Sequence, residues 1–135
     1  HICIIICVFL NISILAQNKI SIRKNTCCDS LFLRIGAATY ADTISYSKLD
    51  SIYGLGVGFR NCLYDATASI VSFELVSNQR RELIKGNSYN FKKLIHLKDG
   101  GDFLIENCLV KCKNYLNEVN LVTLPARKII VLPVE

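Results

Sequence analysis

Thr67-Ala68-Ser69-Ile70-Val71-Ser72-Phe73-Glu74-Leu75-Val76 is the stretch whose reading decides the fold. In an extended chain, Val71, Phe73 and Leu75 fall on one side. Ser72 and Glu74 fall on the other, with Ile70 as an apolar exception on that side. Period-two alternation of β-branched and aromatic residues with polar ones marks a half-buried strand. Gly-rich, strand-like sequence precedes it, and a helix-like turn and more strands follow. The expectation is a mainly β fold: a small antiparallel Ig-like β-sandwich with one short helix and with residues 67–76 as its central strand.

Working outward, residues 19–23 alternate Ile20 and Ile22 with polar residues as a short edge-like strand, and 31–35 reads as another strand ended at Gly36. Thr43-Ile44-Ser45 is a short extended piece. Ser47 then reads as a cap for one or two helical turns carrying Leu49 and Ile52 and stopped by Gly54. Residues 55–59 form a strand whose Gly56 and Gly58 imply a bulge or a close backbone approach. Residues 77–81, including Arg80 and Arg81, read as a polar loop, and 82–84 as a short strand closed by Gly86. Residues 89–97 read as a short helix with Phe91, Leu94 and Ile95 on its apolar side. Residues 102–112 form a strand whose alternation of Phe103 and Ile105 breaks at Glu106-Asn107 and resumes at Cys108 and Val110, which predicts a bulge there. A hairpin loop at 113–120 leads to Leu124-Pro125 and a closing strand at 128–134, which Pro133 places at an edge.

The chain has 135 residues, 51% hydrophobic and 20% charged, with a net charge of +5. That length suits one domain with a real core. The basic residues are scattered, with only pairs such as Arg80-Arg81 and Lys92-Lys93. Nucleic-acid binders gather such charge on one element, so that class is set aside. A chain beginning at His1 without Met reads as a piece of a gene product. Residues 2–10 are continuously apolar, and Ile14-Leu15-Ala16-Gln17 follows. This reads as a secretory signal removed near Ala16. The run is too short for a transmembrane anchor, which needs about 20 apolar residues. Cys3 and Cys7 within it lack the preceding small residues of a lipoprotein signal. The expected organisation is therefore a signal peptide at 1–16, an N-terminal strand and loop at 17–30, and the β-sandwich domain at 31–135. The mature chain is expected to be periplasmic or secreted, with no membrane span.

Export permits disulfides among Cys27, Cys28, Cys62, Cys108 and Cys112. The odd count leaves at least one cysteine unpaired or intermolecular. Cys27 and Cys28 are adjacent and do not bond each other without strain. Cys108 and Cys112 on one strand lie too far apart to bridge. Cys62 and Cys108 read as buried small hydrophobes. A bridge from Cys27 or Cys28 to Cys112 is the one expected first; the pairing stays open.

No catalytic, cofactor-binding or metal-ligating residue is assigned. Gly54-x-Gly56-x-Gly58 lacks the Lys-Ser/Thr and helix of a phosphate loop. Cys-x-x-Cys is absent, and His96 has no partner at ligand spacing. Ser72 has no Gly-x-Ser-x-Gly elbow. Asp99 and Asp102 beside Gly100-Gly101 are turn formers. The tyrosines lie mostly in loop-like segments, where they suit either a recognition rim or the capping of sandwich ends. The candidate interaction surface is Tyr40, Tyr46, Tyr53, Tyr64, Arg80 and Arg81.

Three stretches carry a family resemblance: Thr43-Ile44-Ser45-x-x-x-Leu49 with Gly54-Leu55-x-Val57; Ile70-Val71-Ser72-Phe73; and Leu97-Lys98-Asp99-Gly100 with Phe103-Leu104-Ile105-Glu106-Asn107-Cys108. Leu124-Pro125 adds a fourth, shorter match. Together they resemble the C-terminal periplasmic domain of the GldM family of Bacteroidetes, part of the gliding-motility and type IX secretion machinery. Arg60-Asn61-Cys62-Leu63-Tyr64-Asp65 stands where that family has Asn-Phe-Asp-Phe-Asp. The resemblance implies a non-enzymatic interaction module whose partner is an envelope or secretion-machinery protein, or a second copy of the chain. A secreted small-ligand or carbohydrate binder on the same fold is the alternative. An enzyme acting through His96 is the third reading.

Overall fold

The computed structural model describes residues 27–36, 42–63 and 65–135. The expected signal peptide and the strand at 19–23 lie outside the described residues, as do Tyr40 and Tyr64. Eight strands carry the fold: β1 (Leu31–Ile35), β2 (Thr43–Ser45), β3 (Leu55–Phe59), β4 (Thr67–Ser77), β5 (Arg80–Lys85), β6 (Gly101–Lys113), β7 (Val119–Leu124) and β8 (Arg127–Leu132). The protein is mainly β, and among the described residues the one α-helical turn is α1 (Tyr46–Leu49). Antiparallel pairing dominates; among the described residues only β2 and β8 run parallel. Six strands make one sheet in the order β2-β8-β6-β4-β5, with β7 also pairing β6. β1 and β3 form a separate two-stranded ribbon. Leu33 and Ile35 of β1 and Leu55 of β3 share one core with Phe73, Leu75, Phe103, Ile105, Val110, Ile129 and Val131 of the larger sheet.

β6 is the hub, because its 13 residues pair with β4 along one edge and with β8 and then β7 along the other. β4 lies beside it, flanked by β5. The two long strands carry compensating bulges. Ile70 pairs with Val110 and Ser72 with Leu109, so Val71 is the extra residue on β4. Glu74 then pairs with Glu106, so Asn107 and Cys108 together oppose only Phe73. The register after both bulges is the one that held before them. The bulge read at Glu106-Asn107 is present, and Asn107 takes a left-handed φ of 48°.

The bulge on β4 revises the strict alternation expected there. Ile70 is buried and Val71 is 40% exposed. The extra residue flips the phase, so the apolar exception becomes core. The carbonyl of Val71 is satisfied by the backbone N–H of Gly86, at 2.7 Å.

Other local readings are refined as well. Arg80 and Arg81 begin β5 rather than sitting in a loop, because Asn78 and Gln79 close a two-residue hairpin with φ of 48° and 61°. Positive φ at both central residues is the backbone that matches strand twist. Ser45, not Ser47, stands at the N-cap position of α1, and its hydroxyl meets that of Ser47 at 3.2 Å rather than a helix N–H. Residues 89–97 do not form one α-helix. They make two 3-10 turns, Phe91–Lys93 and Ile95–Asp99, separated by Leu94 at φ −83°, ψ 47°. Phe91, Leu94 and Leu97 are buried at a spacing of three, and Ile95 is exposed. Spacing of three is the eclipsed face of a 3-10 turn.

Two glycines permit close approach. A Cβ on Gly54 would lie 2.3 Å from the carbonyl oxygen of Asn87, and one on Gly58 would lie 2.5 Å from the Phe32 ring. Backbone leaves no room for a side chain at Gly54, just before β3, and at Gly58 within β3 the Phe32 ring would have to move.

Cys28 bonds Cys112, and Cys27 bonds Cys62. The first satisfies the expected bridge. The second replaces the reading of Cys62 as a plain buried hydrophobe, while Cys108 is free and buried as expected. Burial pushes the Cys108 thiol up to about 11, so it stays protonated and packs as a small apolar group.

Candidate interaction surface

The six-stranded sheet has two unlike faces. One carries the core. The other bears Arg81 and Leu83 of β5, Thr67, Ser69 and Glu74 of β4, Glu106, Lys111 and Lys113 of β6, Val119 and Leu121 of β7, and Lys128 and Ile130 of β8. The register sets these pairs on one side: Leu83 opposite Glu74, Glu74 opposite Glu106, Ser69 and Leu121 opposite Lys111, and Thr67 and Val119 opposite Lys113. Among the described residues no element is paired over this face, and it keeps large apolar side chains in water. Leu121 is 65% exposed, Leu83 62% and Val119 52%.

The middle of the face is a charge network. Glu74 and Glu106 sit directly opposite each other on β4 and β6, a placement that is unfavourable for like charges. Arg81 reaches both: its Nη1 donates to Glu74 Oε2 and lies 2.7 Å from Glu106 Oε2. Asn107 Nδ2 donates to Glu74 Oε2 at 2.8 Å. The bulge at Asn107 thus supplies a second donor to the same carboxylate. The Asn107 amide and then Arg81 hold the Glu74 carboxyl below its usual range, and Glu106 and then Glu74 push the Arg81 guanidinium up.

A consequence can be measured. Because the folded-state pKa of Glu74 is depressed, its contribution is fully present above the ordinary value of 4.5 and is lost as pH falls below that value through the lowered folded-state one. Arg81→Ala should lower the urea midpoint at pH 7, by less in high salt, since surface pairs are screened. Adding Glu106→Gln should recover part of the loss, and the difference between wild type and Arg81→Ala should shrink as pH falls below 4.5. Equal midpoints at pH 7 would show that the network contributes nothing.

The residues singled out from the sequence are distributed rather than gathered. Arg80 and Arg81 stand at the start of β5. Tyr46 opens α1 and packs partly against the core, while Tyr53 beyond the helix is 72% exposed. The Tyr53 carbonyl accepts from the Tyr89 backbone N–H at 3.1 Å. Tyr89 itself is buried against Phe91, with ring centroids 5.1 Å apart. Burial and then Glu82 push its hydroxyl up to about 12. Among the described contacts, nothing joins the tyrosines to the arginines. The residues that sequence reasoning missed are Lys111, Lys113, Val119 and Leu121. The pattern of an uncharged strand following two alternate lysines was the available signal.

Three further features bear on chemistry. His96 Nε2 lies 2.7 Å from Ser77 Oγ, a hydrogen-bond partner rather than a metal-ligand one. Ser77 is 7% exposed and ends β4; the pair ties the β4–β5 hairpin to the second 3-10 turn and satisfies a buried hydroxyl. Beside β1, a groove of about 330 Å³ is lined by Phe32, Asp42, Arg60, Pro125 and Arg127 among others. Arg127 donates to Asp42 Oδ1 at 3.0 Å and to the Leu33 carbonyl at 2.7 Å, and Arg60 lies 5.3 Å from the centre of the Phe32 ring. Among the described residues, no group of three or more His, Cys, Asp or Glu could hold a metal ion, and no helix is long and apolar enough to cross a membrane.

Comparison with family models, with curated proteins and with solved structures finds no match for this chain.

Proposed function

We propose that this protein is an exported, non-enzymatic protein-interaction module, related to the C-terminal periplasmic domain of the GldM family and acting on an envelope or secretion-machinery partner. The observation that carries the reading is the uncovered face of the six-stranded sheet, which keeps Leu83, Val119 and Leu121 exposed around a charge network. Large apolar side chains left exposed on one face mark a candidate partner surface, here with the charges at its centre. Two disulfides fit an oxidising compartment outside the cytoplasm. The sequence stretches quoted above supply the link to gliding motility and type IX secretion.

The test is capture from periplasmic extract of the source cell with the oxidised chain as bait. Recovery of an envelope protein, lost on reversing charges of this face, supports the reading. Recovery of none above background counts against it. A second reading, a small-ligand or carbohydrate binder, is favoured by the groove beside Phe32, where an aromatic ring lies next to Arg60, Arg127 and Asp42. Ligand protection of that groove, with no protein partner recovered, would select it.

A further inference from the structure

Two of the sheet's exposed edges differ in how they are defended. β5 carries charge at four of its six positions, Arg80, Arg81, Glu82 and Lys85. β2 is only three residues long. Both are ordinary ways to discourage an added strand. β7 has neither defence. Its sequence Val119-Asn120-Leu121-Val122-Thr123-Leu124 holds no charge, no Pro and no Gly. Among the described residues it pairs only with β6, so no strand hydrogen-bonds its second row of backbone donors and acceptors, and β1 comes near it at the Leu124 end.

Next to that edge the sheet turns basic. Lys111 and Lys113 are exposed, lie opposite Leu121 and Val119, and have no carboxylate partner among the described residues. Two adjoining concavities of about 490 Å³ each share Thr67, Lys113 and Asn117; one includes Lys111, Ser69 and Val119, the other Asp65 and Tyr115. Of the nearby carboxylates, Asp65 lines the farther concavity and Glu118 accepts from Asn114 Nδ2 at 2.9 Å. The turn between β6 and β7 is itself held by Asn114, whose Oδ1 accepts from the N–H groups of Leu116 and Glu118 at 3.0 Å each. The edge is therefore presented by a fixed turn.

We infer that β7 takes an acidic, extended segment of a partner protein as an additional antiparallel or parallel strand, with carboxylates of that segment meeting Lys111 and Lys113 across Val119 and Leu121. The inference rests on the interaction-module reading and names its surface and the partner's chemistry. Strand addition gives affinity through main-chain hydrogen bonds and selectivity through alternate side chains. An added strand lies about 10 Å from β6, two strand spacings away. A lysine stem laid along Leu121 and a glutamate stem reaching back span that gap together. Charge selects the partner: a second copy brings the same two lysines and the same positive net charge to the edge, and an acidic strand brings the opposite sign.

The probe is a blocked synthetic nonapeptide alternating Glu and Val, with the Lys–Val peptide as control, titrated into the oxidised full chain and followed by amide exchange. Binding of the acidic peptide, protection of amides in residues 119–123, and weakening by salt are expected. Lys111→Glu with Lys113→Glu should weaken binding by about tenfold or more, as expected for loss of two exposed ion pairs. Lys111→Gln with Lys113→Gln should fall between. Equal binding of both peptides, protection on β5 instead of β7, or unchanged affinity in the charge-reversed variant would overturn the inference. So would dimerisation of the chain through β7 that excludes the peptide. Retention of a captured envelope protein by the charge-reversed variant would leave the interaction module standing and remove this surface. Peptide binding without any captured protein would do the reverse.

Discussion

Replacing Cys28 and Cys112 together by Ala lowers the unfolding free energy by about 4 kcal/mol, more than any single surface change. The bridge joins residues 84 apart. With Cys27–Cys62 intact, the shortest covalent path it closes is about 50 residues, from Cys28 back through the first bridge and on to Cys112. Loop-closure entropy for such a path is about 4 kcal/mol. The double variant avoids a lone thiol, and both positions are buried, so a small cavity term adds to the loss. Urea unfolding of the oxidised chains checks this, read with the slope as well as the midpoint. A loss below about 1 kcal/mol would mean that the unfolded chain already holds these segments together. The bridge also has a local result. Cys112 pairs with Asn120, so the same bond that tethers Cys28 anchors the part of β6 on which β7 is built.

Phe73→Ala costs about 4 kcal/mol, and Val71→Ala, two residues away, costs under about 0.5 kcal/mol. Phe73 has no exposed surface and packs in a core that includes Phe91 and Phe103, whose ring centroids are 5.7 Å apart. Truncating a buried Phe removes its transfer free energy and leaves a cavity. Val71 occupies the bulge and is 40% exposed outside the core, where truncation matters far less. Simple alternation puts the two on the same face and predicts a loss of about 2 kcal/mol at Val71 as well. The size of the Val71 effect therefore reads out the bulge directly. A loss of about 2 kcal/mol there would show that the strand runs through 70–72 without an extra residue.

Much of the architecture is legible in local pattern. The strands at 31–35, 43–45 and 55–59 stand where alternation and glycine punctuation place them. The break at Glu106-Asn107 announced its bulge because the apolar phase on both sides of it was strong. The companion bulge at Val71 was hidden, since Ile70 and Val71 are both apolar and either could face the core. The segment at 89–97 misled for a related reason. Phe91, Leu94 and Ile95 fit an α-helical stripe, yet Leu97 completes a spacing of three, and only packing against Tyr89 and Phe103 distinguishes the two. Of the candidate surface, Arg81 was visible as a basic residue, but its partners Glu74 and Glu106 come from neighbouring strands and made it a bridging group.

By itself the amino-acid sequence determined that this is a mainly β chain, where most of its strands lie, and that adjacent Cys27 and Cys28 would not bond each other. Those properties follow from side-chain period, turn chemistry and the covalent limits on cysteine, all of which act over a few residues. Only the tertiary structure decided which strand became the hub, that Cys27 takes Cys62, and that β7 is left with an uncharged open edge beside two lysines. Pairing between strands depends on register and on competing partners far away in the chain. No local alternation carries that information.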